Sequence, residues 1–209
     1  MSGVTVELEA DAVPIVRVMG ALARRSLQDQ ALALKVAKLE GVVAVKSAND
    51  PQAVSFRFER GSLRLSRGVA ADVDVTITAD LDDDDAKPKV TGAVRRPQLA
   101  MTVGKLLEPT LGSWEEEADA FLTAALADPA CPRPIRLVCT DDGHGRQWGG
   151  DGEPTIEVHG AADELASCMA GQAVLGDRLL AGHVAMVGDL RELSVLTRFC
   201  IDHLFGELT

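Results

Sequence analysis

The chain has no tyrosine, and only 3% of its 209 residues are aromatic. Base stacking by aromatic side chains therefore has little to work with. Positive charge is also scarce. Lys and Arg number 21 against 32 Asp and Glu, a formal net charge of −11 at pH 7. A surface of that sign repels phosphate backbones, which excludes nucleic acid as a partner. No apolar run approaches the roughly 20 residues of a membrane-spanning helix, so no integral membrane association is expected. The opening Met1-Ser2-Gly3-Val4-Thr5-Val6-Glu7 lacks the basic and apolar stretches of a secretory signal, and the expected location is cytoplasmic.

Catalytic signatures are missing too. There is no G-x-S-x-G elbow and no G-x-x-x-x-G-K-[ST] phosphate loop. Gly143, Gly145, Gly149, Gly150 and Gly152 lack the strand–helix setting of a dinucleotide fingerprint and read as a hairpin with a loop. Cys131, Cys139, Cys168 and Cys200 form no C-x-x-C and sit mostly among apolar neighbours, as reduced, buried thiols do. His144, His159, His183 and His203 show no metal-ligand spacing. His159, at a strand end beside Asp163, reads as a hydrogen-bonding residue, and a His183–Asp189–Cys168 grouping is the one catalytic combination left open. No enzyme activity, catalytic residue, metal or cofactor is expected.

What the chain does have is apolar material, 46% of its residues, enough to bury a sizeable core. Its charge is unevenly spread. Residues 1–110 carry 15 basic and 15 acidic side chains, residues 111–209 carry 6 and 17, and the last lysine is Lys105. That break marks a boundary.

Residues 4–8 suggest a short edge strand. From Asp11, an N-cap candidate, Val13, Val16, Met19, Ala23 and Leu27 recur at helical spacing, predicting one or two helices over 12–39 that stop at Gly41. The period then becomes two. Val43 and Val45, then Val54, Phe56 and Phe58, then Leu63 and Leu65, then Val73, Val75 and Ile77 predict a four-stranded antiparallel meander. Arg57, Arg64 and Arg67 lie on its solvated face. Asp82-Asp83-Asp84-Asp85 lacks the alternation and glycine of a calcium loop and reads as a solvated loop. A short helix is expected over 99–107. Ser113-Trp114-Glu115-Glu116 is a capping box opening a helix to about Ala127. Strands follow at 135–140 and 155–159, with a return strand from Arg146, helices at 161–170 and 172–181, a short strand at 184–187 and a last helix at 190–206.

The two halves share an order of elements, which predicts an α+β fold. An antiparallel sheet packed by helices would occur in two related halves, 1–110 and 111–209; the alternative is one composite domain with an insertion around 83–134. The last helix carries an unusually wide apolar face: Leu190, Leu193, Leu196, Cys200 and Leu204, broadened by Phe199, Ile201 and Phe205. Leu165, Met169, Val174, Leu175, Leu179, Leu180, Val184, Met186, Leu193, Leu196 and Phe199 crowd the terminal region. They are the candidate walls of an apolar cavity closed by that helix, with Met169 and Met186 as adaptable parts.

Three stretches resemble the sterol carrier protein type two superfamily. The first is Phe56-Arg57-Phe58-Glu59-Arg60-Gly61-Ser62-Leu63-Arg64-Leu65 with Gly68 and Val73-Asp74-Val75-Thr76-Ile77-Thr78. The second is Thr155-Ile156-Glu157-Val158-His159-Gly160-Ala161-Ala162-Asp163-Glu164-Leu165. The third is Met169-Ala170-Gly171 with Leu180-Ala181-Gly182-His183-Val184-Ala185-Met186-Val187-Gly188-Asp189-Leu190. His183 stands where that family commonly has a lysine. The resemblance implies a sheet and helices enclosing a sterol, fatty acid, acyl chain or phospholipid, sometimes as a non-catalytic module beside an enzyme. The expected function is non-catalytic binding of a hydrophobic fatty-acyl, sterol or isoprenoid ligand. The alternative is an interaction module whose last helix meets a second subunit, as a homodimer, or an enzyme partner.

Overall fold

The computed structural model describes residues 3–80 and 87–205; the aspartates at 82–85 lie outside them. The chain forms two units, Met1–Thr110 and Leu111–Thr209.

The first unit runs β1 (Thr5–Leu8), α1 (Pro14–Ser26), α2 (Gln30–Val36), β2 (Gly41–Ser47), β3 (Ala53–Glu59), β4 (Ser62–Arg67), β5 (Val75–Ala79), β6 (Lys89–Thr91) and α3 (Pro97–Leu107). Its six strands lie in the order β1-β4-β3-β2-β5-β6. β2, β3 and β4 form the expected antiparallel meander. The sheet as a whole is mixed, correcting the antiparallel expectation: β5 pairs parallel to β2, and β1 parallel to β4. Asp74 is the physical reason for the first. Its N–H donates to the Val42 carbonyl at 2.9 Å, and its Oδ2 accepts from the Val42 N–H at 2.9 Å. The start of β5 is thereby clamped beside the start of β2, on the side away from β4.

Alternation sends Phe56, Phe58, Leu63 and Leu65 into a core shared with Val16, Met19 and Ala23 of α1 and Leu99, Val103 and Leu106 of α3. The opposite face carries exposed Arg57 and Arg64, paired with Asp72 at 2.7 Å and Glu7 at 2.9 Å. Local signals were partly redirected. Asp11 does not cap α1; it takes φ 55°, and Val13 occupies the N-cap without a side-chain bond. α2 is capped by Asp29, which accepts from Ala31 N–H at 2.8 Å, and Gly41 opens β2 rather than stopping a helix.

The second unit runs α4 (Trp114–Ala125), β7 (Ile135–Cys139), β8 (Gly145–Trp148), β9 (Ile156–Gly160), α5 (Ala162–Met169), α6 (Leu175–Leu180), β10 (Val184–Gly188) and α7 (Leu190–Leu204). The Ser113 capping box is present in full. The strand order is β10-β9-β7-β8, again mixed, with β9 parallel to β7. Thr155 holds that pairing, donating from its N–H at 2.8 Å and its hydroxyl at 3.0 Å to the Pro134 carbonyl.

A glycine of positive φ stands at the end of each unit's last strand, Gly92 directly after β6 and Gly188 as the last residue of β10. Gly92 has φ +83°, and a Cβ there would sit 2.2 Å from the Asp74 carbonyl oxygen; Gly188 has φ +147°, and a Cβ would sit 2.6 Å from that of Thr155. Only glycine lets the chain pass so close to the residue that clamps the parallel strand.

Candidate functional site

The eleven residues read as cavity walls separate into three environments. Leu165, Met169, Leu175, Val184, Leu196 and Phe199 are buried in the core of the second unit with Phe121, Ile135 and Ile156. Leu179, Met186 and Leu193 are half-buried against that core. Val174 is half-buried at the N-cap of α6, and Leu180 lies on the surface, 89% exposed. Nine of the eleven thus converge, as side chains packed in and against one core. The described concavities have other linings. Of the wide apolar face of α7, Leu196, Phe199 and Cys200 are buried while Leu190 is exposed.

The combination His183–Asp189–Cys168 is not assembled. His183 Nδ1 lies 3.2 Å from Glu164 Oε1, and Arg178 approaches the same carboxylate at 3.4 Å. Asp189 instead caps α7, accepting from Arg191 N–H at 2.8 Å. His159 Nε2 meets Glu157 Oε1 at 2.7 Å rather than Asp163, and Arg136 reaches the other Glu157 oxygen at 3.3 Å. His203 stacks on Phe121 with ring centroids 5.4 Å apart. No group of three or more His, Cys, Asp or Glu among the described residues is placed to hold a metal ion.

The four cysteines are buried free thiols. Burial, before any neighbouring charge, pushes Cys131 and Cys168 up to about 11, and Cys200 higher still. The thiolate is the reactive form, so these thiols are inert at neutral pH. Alkylation with iodoacetamide at pH 8 is expected to leave Cys131, Cys168 and Cys200 unmodified in the native protein and to label all of them in denaturant. Peptide mass spectrometry reads this directly, and native labelling of Cys168 would contradict its burial.

The concavity with a chemical character of its own lies in the first unit, between α2 and α3. It holds about 400 Å³ and is lined by Leu32, Lys35, Lys38, Leu39, Gln98, Met101, Thr102 and Lys105. Helix geometry places them. Leu32 and Val36 anchor α2 in the core and Leu99, Thr102, Val103 and Leu106 anchor α3. Lys35 in the last turn of α2 and Lys38 just beyond its C-cap, with Met101 and Lys105 on neighbouring turns of α3, then line the cleft. The result is a cleft whose lining combines buried Leu32, half-buried Leu39 and exposed Met101 with three ammonium groups. None of these lysines has a carboxylate partner among the described residues. An adjoining hollow of about 410 Å³ shares Lys38, Leu39 and Gln98 and adds Arg95 and Arg96. Its one acid, Glu40, is engaged by Arg60. A cationic rim on an apolar cleft suits an amphipathic anion.

No helix among the described residues is long and apolar enough to cross a membrane. No family profile matches the chain, and no curated protein matches it. Solved structures do. A UbiJ-SCP2 ubiquinone synthesis protein aligns with 11% identity and a TM-score of 0.29, over 95% of this chain and 97% of that one. Sterol Carrier Protein 2 Like 2 from Aedes aegypti aligns with 15% identity and a TM-score of 0.27, over 40% of this chain and 96% of its own. A conserved protein from Thermus thermophilus, described as a candidate sterol carrier protein, aligns with 9% identity and a TM-score of 0.22, over 98% of this chain and 96% of that one.

Proposed function

We propose that this chain binds a hydrophobic small molecule without transforming it. The ligand is a fatty-acyl or isoprenoid lipid with an anionic head, held in the α2–α3 cleft. The observation that carries the reading is the cleft itself: Leu32, Leu39 and Met101 line it together with Lys35, Lys38 and Lys105, in about 400 Å³. Burial of an apolar chain supplies the drive, at about 25 cal/mol per Å² removed from water, and the ammonium groups select the sign of the head. A ligand beneath α7 would instead lie among Leu196 and Phe199, which are buried in the core with Phe121 and Ile135. The glycines that close both units, Gly92 and Gly188, support reading the two halves as a divergent repeat in which the first keeps the open cleft.

The test is a titration with a fluorescent fatty-acid probe, alongside native mass spectrometry of gently purified protein. Saturable binding of one probe per chain is expected, displaced by unlabelled long-chain carboxylates. Failure of carboxylate, phosphate-headed and neutral lipids alike to bind would end the proposal.

A further inference from the structure

Each sheet has two edges: β1 and β6 in the first unit, β8 and β10 in the second. An open edge offers unpaired N–H and C=O groups to any other strand, and proteins blunt such edges with charge, proline or a bulge. β1 carries Glu7, β6 carries Lys89 and β8 carries Arg146. β10, Val184-Ala185-Met186-Val187-Gly188, carries no charge and no proline. It also has no bulge, since all five residues pair with β9 in unbroken register. Val184 is buried and Met186 half-buried, whereas Ala185 and Val187 are exposed, Val187 at 64%. Apolar exposure continues at both ends, with Leu180 at 89% and Leu190 at 76%.

We propose that β10 pairs antiparallel with β10 of a second copy, about a two-fold axis at Met186. The strand's own sequence points to that occupant. With the axis at Met186, exposed Val187 faces the small Ala185 of the second copy, and Val184 faces Gly188. One step further out, His183 faces Asp189 of the second copy, and symmetry makes the pair twice. Both groups have capacity to spare. His183 meets Glu164 through Nδ1, so as an imidazolium, which donates from both ring nitrogens, it has Nε2–H left for a carboxylate, and Asp189 uses Oδ1 on Arg191 N–H, leaving Oδ2 to accept. An extended basic peptide would find no carboxylate within the strand to read. An isologous contact satisfies both partners with one surface and closes after two copies. The pairing joins main chain to main chain and is independent of whether the α2–α3 cleft holds a lipid.

The experiment is sedimentation equilibrium of the full chain over about a hundredfold concentration range. A monomer–dimer equilibrium is expected. Val187→Lys should weaken it at least tenfold with circular dichroism unchanged, and Val94→Lys, at a fully exposed position of the first unit, should not. Where Val187→Lys disturbs the fold, Ala185→Lys serves in its place. The register is read by mild oxidation of an equimolar mixture of Ala185→Cys and Val187→Cys chains, the native cysteines being buried. The mixed disulfide should exceed each symmetric one by well over the twofold that random pairing of an equimolar mixture gives. A strict monomer at every concentration, a dimer indifferent to both lysine variants, or preferential symmetric cross-links would overturn the proposal.

Discussion

Reversing three charges, Lys35→Glu, Lys38→Glu and Lys105→Glu, is expected to weaken binding of a long-chain carboxylate by about 100-fold, while an uncharged analogue of the same chain loses only a few-fold. An exposed charge pair contributes about 0.2–1 kcal/mol. Each reversal removes an attraction and installs a repulsion. Three such changes sum to roughly 2–3 kcal/mol, and each 1.4 kcal/mol is tenfold in affinity. Salt gives the reading its signature. Screening shortens from about 10 Å at 0.1 M to about 3 Å at 1 M. Native affinity for the carboxylate should therefore fall as salt rises, and that of the triple variant should rise. Lys35 also sits in the last turn of α2, where a cation suits the helix dipole, so its reversal costs about 0.3–1 kcal/mol of stability. Folding is best followed by circular dichroism, because both tryptophans, Trp114 and Trp148, belong to the second unit. Unchanged carboxylate affinity in a folded triple variant would separate the lysines from the head group.

Why the cleft was missed by sequence reasoning while much of the fold was found is a matter of range. Val54, Phe56 and Phe58 alternate because one face of β3 meets the core, and that pattern is complete within a few residues. So is the Ser113 capping box, where both partners lie within one helical turn. Alternation does not name a strand's neighbour, however. Val75 and Ile77 would look the same beside β4 as beside β2, and the choice is made by Asp74 bonding to Val42, far back in the chain. β6 was missed because three exposed residues after Pro88 carry no periodicity. The site follows the same logic. Apolar density around Met169 and Leu196 marked a real convergence, and a core and a cavity wall draw on the same residue types. The α2–α3 cleft needs Lys35 and Lys105 brought together from distant segments, and only their local spacings, Lys35 with Lys38 and Met101 with Lys105, were visible in advance.

Phe121→Ala should destabilise the second unit by about 3–5 kcal/mol, the usual cost of emptying a large aromatic site whose surroundings relax only in part. Phe121 is fully buried on α4, in the core that also holds Ile135, Ile156 and Leu165, and its ring meets His203. Set against the 5–15 kcal/mol that typically holds a domain together, the loss is a large fraction. At roughly 4–8 °C per kcal/mol for a domain of this size, the midpoint should drop by well over 10 °C. Tryptophan emission reports it locally. Trp114 and Trp148 are packed edge to face at 6.5 Å, and the Trp148 indole N–H donates to Asp119 at 2.8 Å. That bond, ahead of the one from Arg146, holds the Asp119 carboxyl below its ordinary range. The stability it contributes is present above the unfolded carboxyl's pKa and is lost as pH falls through the lowered folded value. Comparison at pH 7 keeps the carboxylate charged in both states and isolates the packing effect. Leu180→Ala, at a site 89% exposed, sets the contrast, with a change expected within about 0.5 kcal/mol. Leu180 was read with Leu165 and Met169 as one apolar wall. A pair of variants that differ this sharply separates apolar residues that build the core from apolar residues left on the surface.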